Sequence, residues 1–111
     1  ETSVVNGYII AEKSVLPGAN LADADLSGAF LEGANLTNAN LVNANLSGAN
    51  LVKADLDQAD MTNINLEGAD LTDASLFEVT SSNVRVNAKT KLPDGYRIVD
   101  RRIIKSVINE T

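Results

Sequence analysis

From Ala19 to Glu78 the chain reads in fives without an insertion: ANLAD, ADLSG, AFLEG, ANLTN, ANLVN, ANLSG, ANLVK, ADLDQ, ADMTN, INLEG, ADLTD, ASLFE. The third position is Leu in eleven of these twelve units and Met61 in the other. The first is Ala in eleven and Ile64 in the other, and the second is Asn or Asp in all but Phe30 and Ser75. The fourth and fifth positions vary freely. A tandem repeat of this regularity restricts the fold before any other feature is considered.

A period of five suits neither a helix nor a flat strand. At about 100° per residue on a helix, Leu21, Leu26, Leu31 and Leu36 would drift around the whole circumference. On a strand of period two, successive leucines would point to opposite faces. The period works if each unit forms one side of a coil and then turns a corner, so that four units close a square turn. Residues twenty apart then stack. Leu21, Leu41 and Met61 form one internal column; Leu26, Leu46 and Leu66 the next; Leu31, Leu51 and Leu71 the third; Leu36, Leu56 and Leu76 the fourth. These twelve residues are the predicted structural core, with the first-position alanines beside them. The second-position Asn or Asp faces out near the corner, where a short polar side chain bonds the local backbone. Three coils at ~4.8 Å each give a section roughly 15 Å tall.

The A-[DN]-L-x-x run resembles the pentapeptide-repeat family over 60 of the 111 residues. That resemblance implies an all-β fold, a right-handed quadrilateral parallel β-helix of about three full coils, with non-repeat caps at both ends. It implies little about function, because a fold of this kind does not by itself specify one.

The predicted organisation is an N-terminal cap over 1–18, a solenoid over 19–78, and a degenerate coil with a basic cap over 79–111. Val4-Val5-Asn6-Gly7-Tyr8-Ile9-Ile10 is a hairpin signal, since Asn-Gly between apolar runs suits a type I′ turn. Leu16 lies five before Leu21, in the leucine register. Past Glu78, Val79 and Val84 keep the first-position phase and Val86 the central one, while Ser81 breaks it. Leu92-Pro93-Asp94-Gly95 reads as a turn and Tyr96-Arg97-Ile98-Val99 as a strand. Residues 101–109 fit either the inner stripe of a short helix or a second strand after a turn at Asp100-Arg101.

An internal echo favours the strand. Ile98-Val99-Asp100-Arg101-Arg102-Ile103-Ile104 repeats the phrase Val4-Val5-Asn6-Gly7-Tyr8-Ile9-Ile10, and Lys105-Ser106-Val107-Ile108 repeats Lys13-Ser14-Val15-Leu16. At the first end this phrase leads into a coil. The chain therefore reads as one unit of a longer protein in which cap phrases alternate with coils. Its beginning at Glu1 rather than Met fits an excised module or a processed product.

Charge is laid out unevenly. Residues 19–78 hold ten carboxylates against Lys53 alone, whereas 79–111 hold seven Arg and Lys against Asp94, Asp100 and Glu110. An acidic rod thus carries a basic end. The chain has no His and no Cys, which removes imidazole bases, thiolates, disulfides and the usual zinc ligands. The carboxylate pairs Asp23/Asp25, Asp55/Asp57 and Asp70/Asp73 fall on a convex, wet surface, whereas reactive sites are concave and largely desolvated. Phe30 and Phe77 break the polar pattern and are expected to pack under the N-terminal hairpin and the C-terminal segment; as exposed aromatics they would be partner anchors instead. No apolar run approaches the roughly 20 residues of a membrane span.

These observations predict a non-enzymatic structural or protein-interaction module, with no catalytic, cofactor or metal residues. Its partner is another protein, not nucleic acid or a membrane. It is a monomer, or a dimer through its C-terminal end, with Tyr96, Ile98, Ile103, Ile104, Val107 and Ile108 as the candidate interface. The family resemblance implies an alternative, because some members mimic duplex DNA and act on DNA gyrase. An acidic mimic binding a gyrase-type topoisomerase would require end-to-end dimerisation. Duplex DNA carries a charge every ~1.7 Å. The net −9 of residues 19–78 matches a 15 Å stretch in total but is spread over four faces.

Overall fold

The structure, a computed structural model, describes residues 3–106. Parallel backbone bridges join residues twenty apart, twenty-one at the last step, in four columns: Val15–Asn35–Asp55–Ser75, Asn20–Asn40–Asp60–Thr80, Asp25–Asn45–Asn65–Arg85, and Phe30–Asn50–Asp70–Lys91. Each five-residue unit is thus one side of a coil that returns after four. No helix occurs among the described residues, and the particle measures 49 × 23 × 22 Å.

The hydrogen bonds of one unit show why five residues suffice. Ala39 N–H bonds Leu36 O across the corner at 3.1 Å. Asn40 N–H reaches back to Ala19 O at 2.9 Å, and Leu41 N–H reaches forward to Asp60 O at 2.8 Å. Asn43 N–H also reaches forward, to Thr62 O at 2.9 Å. That leaves Val42 N–H without a carbonyl, and the side chain of Asn40 accepts it at 3.1 Å. Every backbone donor of the unit is used, as a densely packed chain requires.

The second position is Asn or Asp for this reason. All ten such residues, from Asn20 to Asp70, accept the N–H two residues on through Oδ1. Where Ser75 replaces them, Asp57 of the preceding coil substitutes and accepts Phe77 N–H at 2.9 Å.

The fifth position is not free. Every fifth residue from Lys13 to Asn83 has φ between +53° and +72°. This left-handed backbone turns the corner, and Gly, Asn and Asp tolerate it best. Lys53, Gln58 and Glu78 also adopt it. Side-chain chemistry at this position is therefore constrained, where the sequence pattern suggested free variation.

The core is the stack of inward side chains. Leu21, Leu31, Leu36, Leu41, Leu46, Leu51, Leu56, Met61, Leu66 and Leu71 are fully enclosed, and Leu26 and Leu76 nearly so. Ile64, the one large first-position residue, is also enclosed and follows Met61, whose unbranched chain adapts to irregular space.

The bridge ladder runs from Val15 to Lys91, beyond 19–78 at both ends. Its last step, Asp70 to Lys91, spans twenty-one residues. Thr90 absorbs the extra residue, its hydroxyl donating to Leu66 O at 2.7 Å.

A two-stranded antiparallel hairpin closes each end. Strands β1 (Ser3–Val5) and β2 (Tyr8–Ile10) join through Asn6-Gly7, with φ of +51° and +84°. Strands β3 (Tyr96–Val99) and β4 (Arg102–Lys105) join through Asp100-Arg101, with φ of +50° and +59°. Positive φ at both central residues is the mark of a type I′ turn. The segment at 102–105 is therefore a strand, as the echo suggested.

Candidate interaction surfaces

The sides of the coil present short polar groups already bound to the backbone. Asp25 Oδ1 accepts both the hydroxyl and the N–H of Ser27, and Asp70 Oδ1 those of Thr72. These bonds, the hydroxyl first, hold both carboxyls below the ordinary Asp range. Asp55 and Asp60 accept the N–H of Asp57 and Thr62 in the same way. One member of each carboxylate pair of the sequence, Asp25, Asp55 and Asp70, thus stabilises its own turn. No group of three acidic residues that could hold a metal ion occurs among the described residues.

One corner carries a ladder of side-chain amides. Asn43 donates to Asp23, Asn63 to Asn43 and Asn83 to Asn63, at 3.0, 2.9 and 2.8 Å. The guanidinium of Arg101, in the C-terminal hairpin turn, donates to Asn83 at 3.2 Å and ends the ladder. Elsewhere Arg85 pairs with Glu67 at 3.2 Å on the surface, a contact of the class worth about 0–1 kcal/mol.

Both hairpins are fixed by polar contacts with the coil. At the N-terminal end the Tyr8 hydroxyl accepts Asn20 N–H at 3.1 Å. At the C-terminal end Val84 N–H donates to Arg101 O at 2.9 Å, and Ile103 N–H donates to the Ser81 hydroxyl at 3.0 Å. Ser81 breaks the leucine register because it caps: its oxygen receives the hairpin, and Ile103 brings an apolar side chain to the core instead.

The candidate interface divides. Ile103 is buried, Tyr96 and Ile98 are half-buried against the core, and Ile104 faces outward. Val107 and Ile108 lie outside the described residues. Phe30 lines a cleft of about 240 Å³ beside Val5 and Ile10 of the N-terminal hairpin, yet stays half exposed. The cleft is smaller than typical ligand sites of about 300–1,000 Å³. Phe77 is more exposed still and is not covered, because the C-terminal hairpin seats over Ser81 to Val84 and not over the side that carries Phe77. Val4 and Ile9 are the most exposed apolar residues of the hairpins, a feature the apolar doublets of the sequence hid.

A parallel β-solenoid with self-satisfied polar sides and hairpin-closed ends is the class of protein these observations define. The family model for pentapeptide repeats matches eight copies over residues 14–51 and 49–76, so the chain belongs to the pentapeptide-repeat family. Among solved structures, it is 32% identical to a pentapeptide repeat protein from Nostoc PCC 7120, covering 78% of this chain and 75% of that one, with a TM-score of 0.55. It is 36% identical to another from the cyanobacterium Cyanothece 51142, covering 73% of this chain and 62% of that one, with a TM-score of 0.46. A third match, from Nostoc sp. strain PCC 7120, is described as involved in heterocyst differentiation regulation; identity is 34%, coverage 68% and 37%, and TM-score 0.37. This chain therefore spans less than two thirds of the Cyanothece protein and well under half of the third. No curated protein matches it.

Proposed function

We propose that the chain is a non-enzymatic structural or protein-interaction module, one unit of a longer repeat protein, whose contacts are made at its ends. The observation that carries this reading is the distribution of unsatisfied surface. Along the sides, the ten second-position Asn and Asp side chains each accept a backbone N–H two residues on. At the ends, the hairpins hold Val4 with Ile9, and Val99 with Ile104, toward solvent, whereas the exposed apolar residues of the coil, Val15, Phe30 and Phe77, fall in three separate units. Winding is right-handed, as the family resemblance implies, over the span of the bridge ladder from Val15 to Lys91. Quasi-one-dimensional repeats use such ends and surfaces to contact neighbours.

The DNA-mimic alternative gains no support from the geometry. Asp23 and Asp60 lie on one side, Asp25 and Glu67 on the next, Glu32, Asp70 and Asp73 on the third, and Asp55, Asp57 and Glu78 on the fourth. No continuous acidic face results.

The reading frame around the chain tests the proposal. Further pentapeptide coils separated by Ile/Val hairpin phrases are expected on one or both sides. A start codon directly before Glu1, with a stop directly after Thr111, would contradict it.

A further inference from the structure

The two hairpins are the same device used from opposite sides. Their registers coincide at a constant offset: Val4 pairs with Ile9 as Ile98 does with Ile103, and Val5 with Tyr8 as Val99 does with Arg102. Their buried faces do not coincide. Val4 and Ile9 are 69% and 60% exposed, whereas their equivalents Ile98 and Ile103 pack on the last coil, Ile103 at 7%. Conversely, Ile10 is 2% exposed over the first coil, whereas its equivalent Ile104 is 36% exposed. Each hairpin turns to solvent the face that its twin buries.

The sequence carries an independent sign of the same thing. A hairpin buried on one face alternates apolar and polar residues, whereas one buried on both reads as an apolar run. Val4-Val5, Ile9-Ile10, Ile98-Val99 and Ile103-Ile104 are apolar doublets, with one member for each face.

We propose that the hairpin phrase is a two-sided connector, and that the outer face of the N-terminal hairpin, Val4 and Ile9, seats the C-terminal end of a preceding pentapeptide coil. The C-terminal hairpin shows the contact. Ile98 and Ile103 cover the end of the coil, Arg101 O accepts Val84 N–H, and Ile103 N–H donates to Ser81. Ile103 has this N–H to give because its pair with Ile98 is one step beyond the pair that flanks the two-residue turn. Antiparallel pairs alternate, so this one does not exchange backbone hydrogen bonds. Ile9 holds the equivalent place in its own hairpin, and Gly7 O stands where Arg101 O does. The outer face of the C-terminal hairpin, Val99 and Ile104, correspondingly receives a following coil. Units joined this way form one continuous solenoid, not beads on a linker.

This inference rests on the reading of the chain as one unit of a longer protein, and its test is separate. Residues 1–104 are joined directly to residues 11–111 of a second copy, so that the hairpin at 96–104 lies between two coils. Circular dichroism melts are recorded for this tandem chain and for the single chain, each with and without Val99→Glu/Ile104→Glu. The connector predicts one transition for the tandem chain, above that of the single chain. It predicts that the glutamate pair lowers the tandem transition by more than about 5 °C and leaves the single chain unchanged. Two transitions, a tandem chain that does not fold, or equal shifts in both chains overturn the proposal. So does self-association of the single chain by light scattering that Val4→Glu/Ile9→Glu abolishes, since that assigns the face to a second copy. A reading frame holding further units, with a tandem chain that melts in two steps, sinks the connector and leaves the broader reading standing.

Discussion

Asn63 donates its side-chain amide to the side-chain oxygen of Asn43, 2.9 Å away and twenty residues earlier, while both hold left-handed backbone at φ of +60° and +62°. One residue type meets two demands at this corner. Its amide stacks on the coil below, as in asparagine ladders of cross-β assemblies, and its short polar side chain tolerates positive φ.

The two demands separate by substitution. Asn63→Ala loses the ladder bonds and the tolerance of positive φ, and is expected to cost about 1–2 kcal/mol. Asn63→Gly loses the ladder alone and should cost less. Urea melts of both variants check this. Equal costs would mean that the left-handed backbone is not the limiting requirement.

Gly48 tests the backbone requirement without the ladder. A Cβ built there comes no nearer than 4.0 Å to Gly28 N, so space is available. Any cost of Gly48→Ala then comes from its φ of +68° and should be about 1–2 kcal/mol, with Gly48→Asn milder. Chemical denaturation ranks the three; a neutral alanine would contradict the corner geometry.

At the second position the acceptor oxygen is what matters. Asn45 Oδ1 holds Ser47 N–H at 3.0 Å. Asn45→Asp keeps that oxygen and should change the melting temperature little. Asn45→Ala removes it and should cost about 1 kcal/mol. Leu51→Asp, in contrast, places an unpaired charge in the enclosed column and should prevent folding altogether.

Acid should weaken the coil through particular turns. The Asp25 and Asp70 carboxyls titrate below the ordinary Asp value because Ser27 and Thr72 hydrogen bonds favour the ionised form. A depressed folded value means that the stabilisation is complete above the unfolded value of about 3.9 and is lost as pH falls through the folded one. Melting temperature should be flat from pH 7 to 5 and fall below about pH 4. Ser27→Ala should move the NMR titration of Asp25 upward, toward the ordinary range; an unmoved midpoint would contradict the assigned cause.

Much of the coil is legible in the leucine register alone, because one inward residue in five fixes the side length and hence the twenty-residue return. The hairpin at Asn6-Gly7 announces itself through its turn, and the second is legible only by its likeness to the first. The corner requirement is harder to see. Nine of the twelve fifth positions are Gly, Asn or Asp, but Lys53, Gln58 and Glu78 accept the same φ and blur the signal. The buried face of each hairpin is not legible at all. Val4 and Val5, like Ile103 and Ile104, are equally apolar, so hydrophobicity does not say which turns inward; only the coil beneath decides it.

The opposed use of the two hairpins is tested most directly by paired melts of the full chain. Val4→Glu/Ile9→Glu alters the solvent-facing side of the first hairpin, and Ile98→Glu/Ile103→Glu alters the equivalent residues of the second, which pack on the last coil. The first pair should melt close to the unaltered chain, and the second should lose the C-terminal cap, with a fall of more than about 5 °C. Equal falls, or the larger fall in the first pair, would contradict the opposed use.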